Sequence, residues 1–127
     1  NTRTSMKHIV RLALLCSFPF SVLAEPLTVD SSQAKQYEGK QVRVCGELIQ
    51  LRDFKKGIYL NLDDNYPNSS ITFVIWDSML PKIESKLGEM PSLKNKQVCG
   101  TGTVDSYKGN LRMNINSRYN LEVSPAD

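Results

Sequence analysis

Hydrophobic and polar positions alternate with a period of two in several short segments of this chain, which is the pattern of half-buried β-strands. In "QVRVCGELIQL" the alternation places Val42, Val44 and Leu48 on one face. The other segments of this kind are "IYLNLD", "ITFVIW", "KQVCGTGTV" and "LRMNIN". The chain therefore predicts five strands, with a bulge or tight bend at Gly46 in the first.

The same alternation predicts which side chains face the interior. Tyr59 and Asn61 fall on the outward face of the second strand, and the apolar "ITFVIW" predicts a central strand. Its neighbours Val74 and Ile75 favour a position of Trp76 in the core, and the alternative is an exposed position on that strand. The predicted inward residues of the second and fifth strands are Ile58, Leu60, Leu62, Leu111, Met113 and Ile115.

Two segments have helical signals instead. "DSSQAKQYEGK" predicts a short helix with Asp30 or Ser31 as its N-cap and Gly39 as its stop, and "SMLPKIESKLGEM" predicts a second helix that ends near Gly88. The order helix, three strands, helix, two strands predicts an all-β fold with minor helices. It is the order of a five-stranded OB-fold β-barrel with a helix between strands three and four. An SH3-like barrel is the alternative, but it has no place for that helix.

Residues 1–24 are typical of a secretory signal peptide preceded by a few upstream residues. Lys7 and Arg11 follow Met6, an apolar run "LALLCSFPFSVLA" comes next, and small residues mark a cleavage site near Ala24. The run is too short for a stable membrane span. We therefore expect a signal peptide over 1–24, an OB-fold domain over 25–127, and a bacterial periplasmic or secreted location with no membrane anchor after cleavage.

Removal of this segment changes the charge balance. The whole chain has 16 basic and 13 acidic residues, but Arg3, Lys7 and Arg11 belong to the predicted signal peptide, so residues 25–127 carry 13 of each. A domain without net charge lacks the basic footprint of a strong nucleic-acid binder. Any such binding would have to come from local clustering of cations.

Two cysteines remain after cleavage, Cys45 and Cys99. The first and fourth strands of an OB-fold are antiparallel neighbours, and both cysteines have the parity opposite to the inward valines. In an oxidising compartment this favours a cross-strand disulfide, with α-carbons about 5–6 Å apart. The alternative is two buried thiols packed as small hydrophobic groups. The absence of a CxxC spacing argues against a redox-active pair.

The run "VCGEL … KGIYLNLDDNYPN … ITFVIW … VCGTGTV … YKG" resembles a family of small exported bacterial OB-fold domains of the nucleic-acid-binding type. Members occur alone or joined to thermonuclease-like enzymes, and the likeness covers about Ala34 to Ile115. The resemblance implies an OB-fold and a pairing of Cys45 with Cys99. It brings no nuclease site, because the catalytic domain has no counterpart in this chain. After "YKG" the chain has "NLR" instead of the proline and acidic residue expected there, which makes the edge of the fifth strand more basic.

Two loops carry the candidate binding residues. OB-folds bind oligonucleotides with strands two and three and with the loops that join strands 1–2 and 4–5, which here are "RDFKKG" and "DSYKGN". Aromatic side chains would stack on bases and cations would contact phosphates. The aromatic candidates are Phe54, Tyr59 and Tyr107, and the cationic candidates are Arg52, Lys55, Lys56, Lys108 and Arg112. The alternative is that turn lysines only solvate the loops and that Tyr107 packs against the barrel rim.

The sequence gives little support for catalysis or metal binding. The one histidine, His8, lies in the predicted signal peptide, and neither a nucleophile–base motif nor a P-loop is present. The loop with Asp63 and Asp64 lacks the glycine and the distal glutamate of a calcium loop. We expect a binding module for single-stranded nucleic acid, with little sequence preference and with no enzymatic activity, metal or cofactor. The alternative is an accessory domain that docks on another exported protein.

Overall fold

Strands form most of the regular structure in residues 25–124, the part of the chain that the computed structural model describes. The predicted signal peptide lies outside the described residues. One α-helix, α1, spans Leu80–Leu87, and 3₁₀ helices span Ser31–Tyr37, Met90–Leu93 and Arg118–Asn120. None of these helices is long and apolar enough to cross a bilayer. The strands are β1 Thr28–Asp30, β2 Gln41–Phe54, β3 Gly57–Leu62, β4 Thr72–Trp76, β5 Gln97–Thr103, β6 Asp105–Tyr107, β7 Asn110–Asn114 and β8 Leu121–Val123.

The five predicted strands are β2, β3, β4, β5 and β7, and their connectivity is that of the predicted OB-fold. The sheet order is β6-β7-β4-β3-β2-β5-β8, with β1 added to β2, so the described residues hold eight strands and not five. All neighbours are antiparallel except the parallel pairs β4–β7 and β1–β2. The three additional strands have three residues each, which is too short for a periodic pattern to reveal them.

The barrel wall is not closed by a continuous ladder, which corrects the prediction of a closed barrel. Within residues 25–124, β5 and β7 are not paired, because β6 occupies the second edge of β7 and β8 occupies that of β5. The two strands still approach closely. A Cβ atom added at Gly102 of β5 would lie 2.9 Å from Met113 Cγ and 3.1 Å from the carbonyl oxygen of Asn114. The sheet therefore curls until these edges meet through packing.

The core lies inside this curled sheet and follows the predicted parity. Val42, Val44 and Leu48 of β2 are buried, and so are the predicted inward residues of β3 and the pair Met113 and Ile115. Leu111 is the exception, since it is half-buried and packs against the core. Each fully buried aliphatic or phenyl side chain contributes about 1.5–3 kcal/mol relative to an exposed one.

Gly46 does not form the bulge that its sequence position predicts. It pairs regularly with Val98 of β5, and the register shift of β2 falls later, between Leu48 and Gln50. Glycine is needed at position 46 because an added Cβ would collide with the hydroxyl of Ser31.

That hydroxyl donates to the Asp63 carboxylate, which also accepts a bond of 3.1 Å from the backbone N–H of Glu47. Asp63 thus anchors the β3–β4 loop to the 3₁₀ helix and to β2.

Cys45 and Cys99 are directly opposed in the β2–β5 ladder and form a disulfide. Their α-carbons are 4.0 Å apart. This is closer than the predicted separation, because directly opposed residues at a non-hydrogen-bonded site of an antiparallel ladder approach most closely. The two cysteines are 54 residues apart in sequence, and on the chain-entropy account such a crosslink stabilises the fold by about 4 kcal/mol.

Both predicted helix ends are found. Asp30 is the N-cap of the first helix, and its carboxylate accepts a bond of 2.9 Å from the backbone N–H of Ser32. Gly39 and Gly88 have φ angles of 85° and 93°, the left-handed conformation that glycine adopts without strain after a helix.

Candidate nucleic-acid interface

One open groove of about 310 Å³ brings together five of the eight predicted binding residues. Strands β3, β4 and β7 form its floor, and the ends of β2 and β6 form its sides. We call it the aromatic groove. It is lined by Arg52, Asp53, Phe54, Tyr59, Asn61, Tyr66, Thr72, Val74, Tyr107, Asn110, Leu111 and Arg112.

Most of these side chains lie on strands, whereas the sequence predicted loops for several of them. Strand β2 continues to Phe54, so the β2–β3 turn consists of Lys55 and Lys56 alone. Tyr107 is likewise the last residue of β6, and only Lys108 and Gly109 form the next turn. A site on strands is held more rigidly than a site on loops.

A cluster of three aromatic rings forms one side of the groove region. The rings of Phe54 and Tyr59 are stacked, with centroids 4.2 Å apart and planes inclined by 14°. The indole of Trp76 packs edge to face on Phe54, with ring centroids 5.5 Å apart. The indole Nε1 donates a hydrogen bond of 3.2 Å to Asn114 Oδ1. Such pairs add stability beyond the area that they bury. The cluster therefore fixes the orientation of Tyr59 in the groove.

Trp76 lies on the surface, so the prediction that it belongs to the core is wrong. Its side chain is 37% exposed. Thr72 and Val74, on the same face of β4, line the groove, whereas Phe73 and Ile75 point into the core. The uninterrupted apolar run concealed this alternation, because both faces of β4 are covered except at its last residue.

Tyr107 also lines the groove, with cations beside its ring. The Arg112 guanidinium carbon lies 4.7 Å from the ring centroid, and Lys108 Nζ lies 5.3 Å from it. Both distances are within the range of cation–π attraction. The side chain is nevertheless 50% exposed, so it is not packed away against the barrel rim. An aromatic face and two positive charges thus occur at one place.

Three predicted cations do not line the groove. Lys55, Lys56 and Lys108 are exposed in the two turns, next in sequence to Phe54 and Tyr107. In residues 25–124 the one salt bridge joins Arg43 to Glu122, away from the groove, so no ion pair in that range neutralises the five candidate cations. Asp53 adds a carboxylate to the lining, which reduces the local positive charge.

Asn61 faces outward as predicted but is only 1% exposed. Its Nδ2 donates to Gln50 Oε1 at 2.8 Å, and its Oδ1 accepts from Thr72 Oγ1 at 2.5 Å. Gln50 Oε1 also accepts from the backbone N–H of Tyr66 at 2.9 Å. This network forms a polar floor whose groups are already partnered.

The same network positions Tyr66, a groove residue that the sequence reasoning missed. Its ring is 44% exposed, and its hydroxyl accepts a bond of 3.2 Å from Asn110 Nδ2. The available signal was an aromatic residue inside an otherwise polar loop, "DDNYPN". In the described part of the chain no three His, Cys, Asp or Glu side chains are placed to hold a metal ion.

No protein-family profile matches this chain, and no curated protein matches it. Similar solved structures include a Leishmania major Friedlin protein assigned as an aspartyl-tRNA synthetase, with a TM-score of 0.57 and 10% identity over 87% of this chain and 23% of that one. An OBody bound to hen egg-white lysozyme has a TM-score of 0.56 and 17% identity, with 84% of this chain and 100% of that chain covered.

The S. pombe Stn1–Ten1 complex gives a TM-score of 0.52 and 13% identity, with 68% of this chain and 59% of that chain covered. The chain thus spans less than two thirds of the synthetase and Stn1–Ten1 chains that it matches. At these identities the likeness concerns the fold alone. Together with the strand connectivity, it shows that the chain has an OB-fold.

Proposed function

We propose that this chain is an exported OB-fold module that binds single-stranded nucleic acid, weakly and with little sequence preference. The observation that carries the proposal is the aromatic groove, which is lined both by a half-exposed Tyr107 with Arg112 over its ring and by the stacked pair of Phe54 and Tyr59. Aromatic faces and cations at one site are the combination by which single strands are held.

The division of roles follows from the chemistry of the side chains. Tyr59 and Tyr107 stack on bases, with Phe54 supporting Tyr59 from behind. The guanidinium groups of Arg52 and Arg112 contact phosphates within the groove, and Lys55, Lys56 and Lys108 attract phosphates from the turns. Because every base has a π face, and because the polar floor is satisfied internally, the groove has little means of choosing between bases.

Weak binding follows from the charge balance. Residues 25–127 carry equal numbers of basic and acidic side chains, and Asp53 lies in the groove itself. The attraction is therefore local. An affinity of about 10⁻⁴ to 10⁻⁶ M at physiological salt is the range for binding that rests on phosphate contacts without sequence readout.

We further propose that the chain belongs to the family of small exported bacterial OB-fold domains that occur alone or joined to thermonuclease-like enzymes. The support is the sequence run quoted above and the disulfide, which is a feature of oxidising compartments. On this proposal residues 1–24 are a signal peptide and 25–127 are the mature, non-enzymatic domain, in the periplasm or secreted.

Fluorescence anisotropy with a labelled oligothymidylate in low salt tests the binding proposal. Replacement Tyr107→Ala should weaken binding about 5- to 150-fold, because one stacked base is worth about 1–3 kcal/mol. Tyr119→Ala is the matched control, since Tyr119 is 67% exposed and lines neither this groove nor its neighbour. Absence of binding at tens of micromolar protein, or equal affinities of the two variants, would contradict the proposal.

A protein partner is the second candidate function. Tyr66 exposes aromatic surface in the groove and Trp76 exposes it beside the groove, and aromatic residues are enriched in protein interfaces. The OBody bound to lysozyme is a protein of the same fold with a protein ligand. A stoichiometric partner recovered from a periplasmic extract, and lost on Tyr59→Ala but not on Tyr119→Ala, would favour this function over the first.

A further inference from the structure

A second groove of about 300 Å³ adjoins the aromatic groove. Asn110 and Leu111, the first two residues of β7, line both grooves, so the two grooves meet at the start of this strand. We call the second one the serine groove because five serines line it. They are Ser31, Ser32, Ser69, Ser70 and Ser106.

The two grooves differ in chemistry. No aromatic ring lines the serine groove, and its charged lining consists of Lys35 and Glu38, which cancel one another. Hydroxyl groups and an ammonium group are donors suited to phosphate and sugar oxygens, whereas they offer no surface on which a base can stack. The serine groove therefore suits the backbone of a nucleic acid better than its bases.

Some of the serines already have partners. The hydroxyls of Ser31 and Ser32 donate to the carboxylates of Asp63 and Asp30, and Ser69 Oγ lies 3.5 Å from Thr72 Oγ1. Ser70 and Ser106, which lie on two different segments, remain as hydroxyl donors for a ligand, with the exposed Lys35 beside them. Donors from three separate segments thus face one depression.

The junction of the grooves is fixed in place. Asn110 donates to the Tyr66 hydroxyl at 3.2 Å, and Leu111 packs partly against the core. A nucleic-acid strand that passes from the aromatic groove over Asn110 and Leu111 therefore reaches the serine groove.

We propose that the serine groove holds the sugar–phosphate backbone of the same single strand whose bases occupy the aromatic groove. This inference rests on the proposed function and extends it from a site for one or two bases to a longer track. Because the serine groove adds hydroxyl donors and one cation, Lys35, these contacts raise the affinity for longer strands and steepen the salt slope by no more than about 0.7.

Oligothymidylates of increasing length, from 3 to about 12 nucleotides, test the track, since a single OB-fold covers about 4–16 nucleotides. Anisotropy titrations of the full protein should show about a tenfold gain in affinity between the shortest oligomers and those that reach the serine groove. Lys35→Glu and Ser106→Leu should abolish most of this gain and leave the affinity for the shortest oligomers within about twofold.

Two matched controls come from α1, where Lys82 and Ser85 are exposed and line neither groove. Lys82→Glu makes the same charge change as Lys35→Glu, and Ser85→Leu the same size change as Ser106→Leu, so both should preserve the length-dependent gain. If Ser106→Leu unfolds the protein by circular dichroism, Lys35→Glu and Ser70→Ala carry the test.

The outcomes separate this inference from the proposed function. Short oligomers that bind, with a length-dependent gain that the groove variants do not change, would overturn the track and leave the aromatic site standing. A loss of the gain in the α1 controls as well would also overturn it, because the effect would then be general charge or stability. If no oligomer of any length binds, the proposed function and the track fall together.

Discussion

A single residue, Gly100, shows how closely the interior of this fold is packed. It lies in β5 directly over the ring of Phe73, which is fully buried. A Cβ atom at position 100 would lie 2.7 Å from Phe73 Cζ, well inside van der Waals contact. The absence of a side chain at position 100 is therefore what allows the largest core residue to fill the barrel.

Gly100→Ala should lower the free energy of unfolding by about 1–3 kcal/mol, the usual cost of overpacking a core. Urea unfolding monitored by circular dichroism measures it. The double variant Gly100→Ala/Phe73→Leu should lose less than the sum of the two single variants, because a smaller side chain makes room for the methyl group. Strictly additive losses would show that the two residues do not compete for space.

At the scale of elements, the first 3₁₀ helix depends on its N-cap. Asp30 accepts bonds from the side chain and the backbone of Ser32, and these two bonds, in that order, hold the pKa of Asp30 below its usual value. The folded state therefore prefers the charged carboxylate. Its contribution is present above the ordinary pKa of an aspartate and is lost as the pH falls through the lower folded-state pKa.

Asp30→Ala should cost about 0.5–1 kcal/mol at neutral pH, the lower half of the range for an N-cap, because this carboxylate is largely exposed. The difference between variant and wild type should shrink as the pH is lowered toward 2. Urea unfolding at several pH values measures this trend. Asp30→Asn, which retains a capping oxygen but does not titrate, should lose less at neutral pH, and a pH-independent difference for Asp30→Ala would contradict the assignment.

The long elements could be predicted from the sequence because each carries its own period. Two signals are local: the alternation in β2 and β3, and the glycine stops at positions 39 and 88. The pairing of the cysteines follows from the fold class, because the two strands that carry them are neighbours in an OB-fold. The OB-fold, and the grouping of five of the eight candidate residues in one groove, could therefore be anticipated. The length of the two turns could not be predicted, because "RDF" and "DSY" show no alternation of hydrophobic and polar residues although both lie in strands.

Other features depend on contacts between distant segments. Gln50 Oε1 accepts from the side chain of Asn61 and from the backbone N–H of Tyr66, so it links β3 to the β3–β4 loop that brings Tyr66 to the groove. Trp76 is the last residue of β4 and the one exposed residue of that strand. The serine groove combines the first helix, a loop and β6, which no local pattern joins.

At the scale of the whole molecule, residues 25–127 have no net charge, yet five cations lie in or beside one groove. Arg52 and Arg112 line the aromatic groove, the three lysines lie in its adjoining turns, and Asp53 is the acidic residue among them. Added salt should therefore weaken binding only through these few cation–phosphate contacts. A small salt dependence distinguishes such a local site from a protein that is basic over its whole surface.

The logarithm of the binding constant should fall linearly with the logarithm of salt concentration, with a slope of about −0.7 for each phosphate neutralised and no steeper than about −3.5 for five. Lys56→Gln should make the slope shallower by about 0.7, while Lys82→Gln on α1 should leave it unchanged. Anisotropy titrations at four or more salt concentrations give these slopes. Equal slopes for wild type and Lys56→Gln would exclude Lys56 from the contact set.

The crosslink between β2 and β5 lies apart from both grooves, since neither cysteine lines either of them. The disulfide therefore affects the stability of the fold and not the shape of the binding grooves. A reductant should diminish the number of binding-competent molecules in a sample, which a titration reads as lower stoichiometry. The dissociation constant of the molecules that stay folded should be the same with and without reductant.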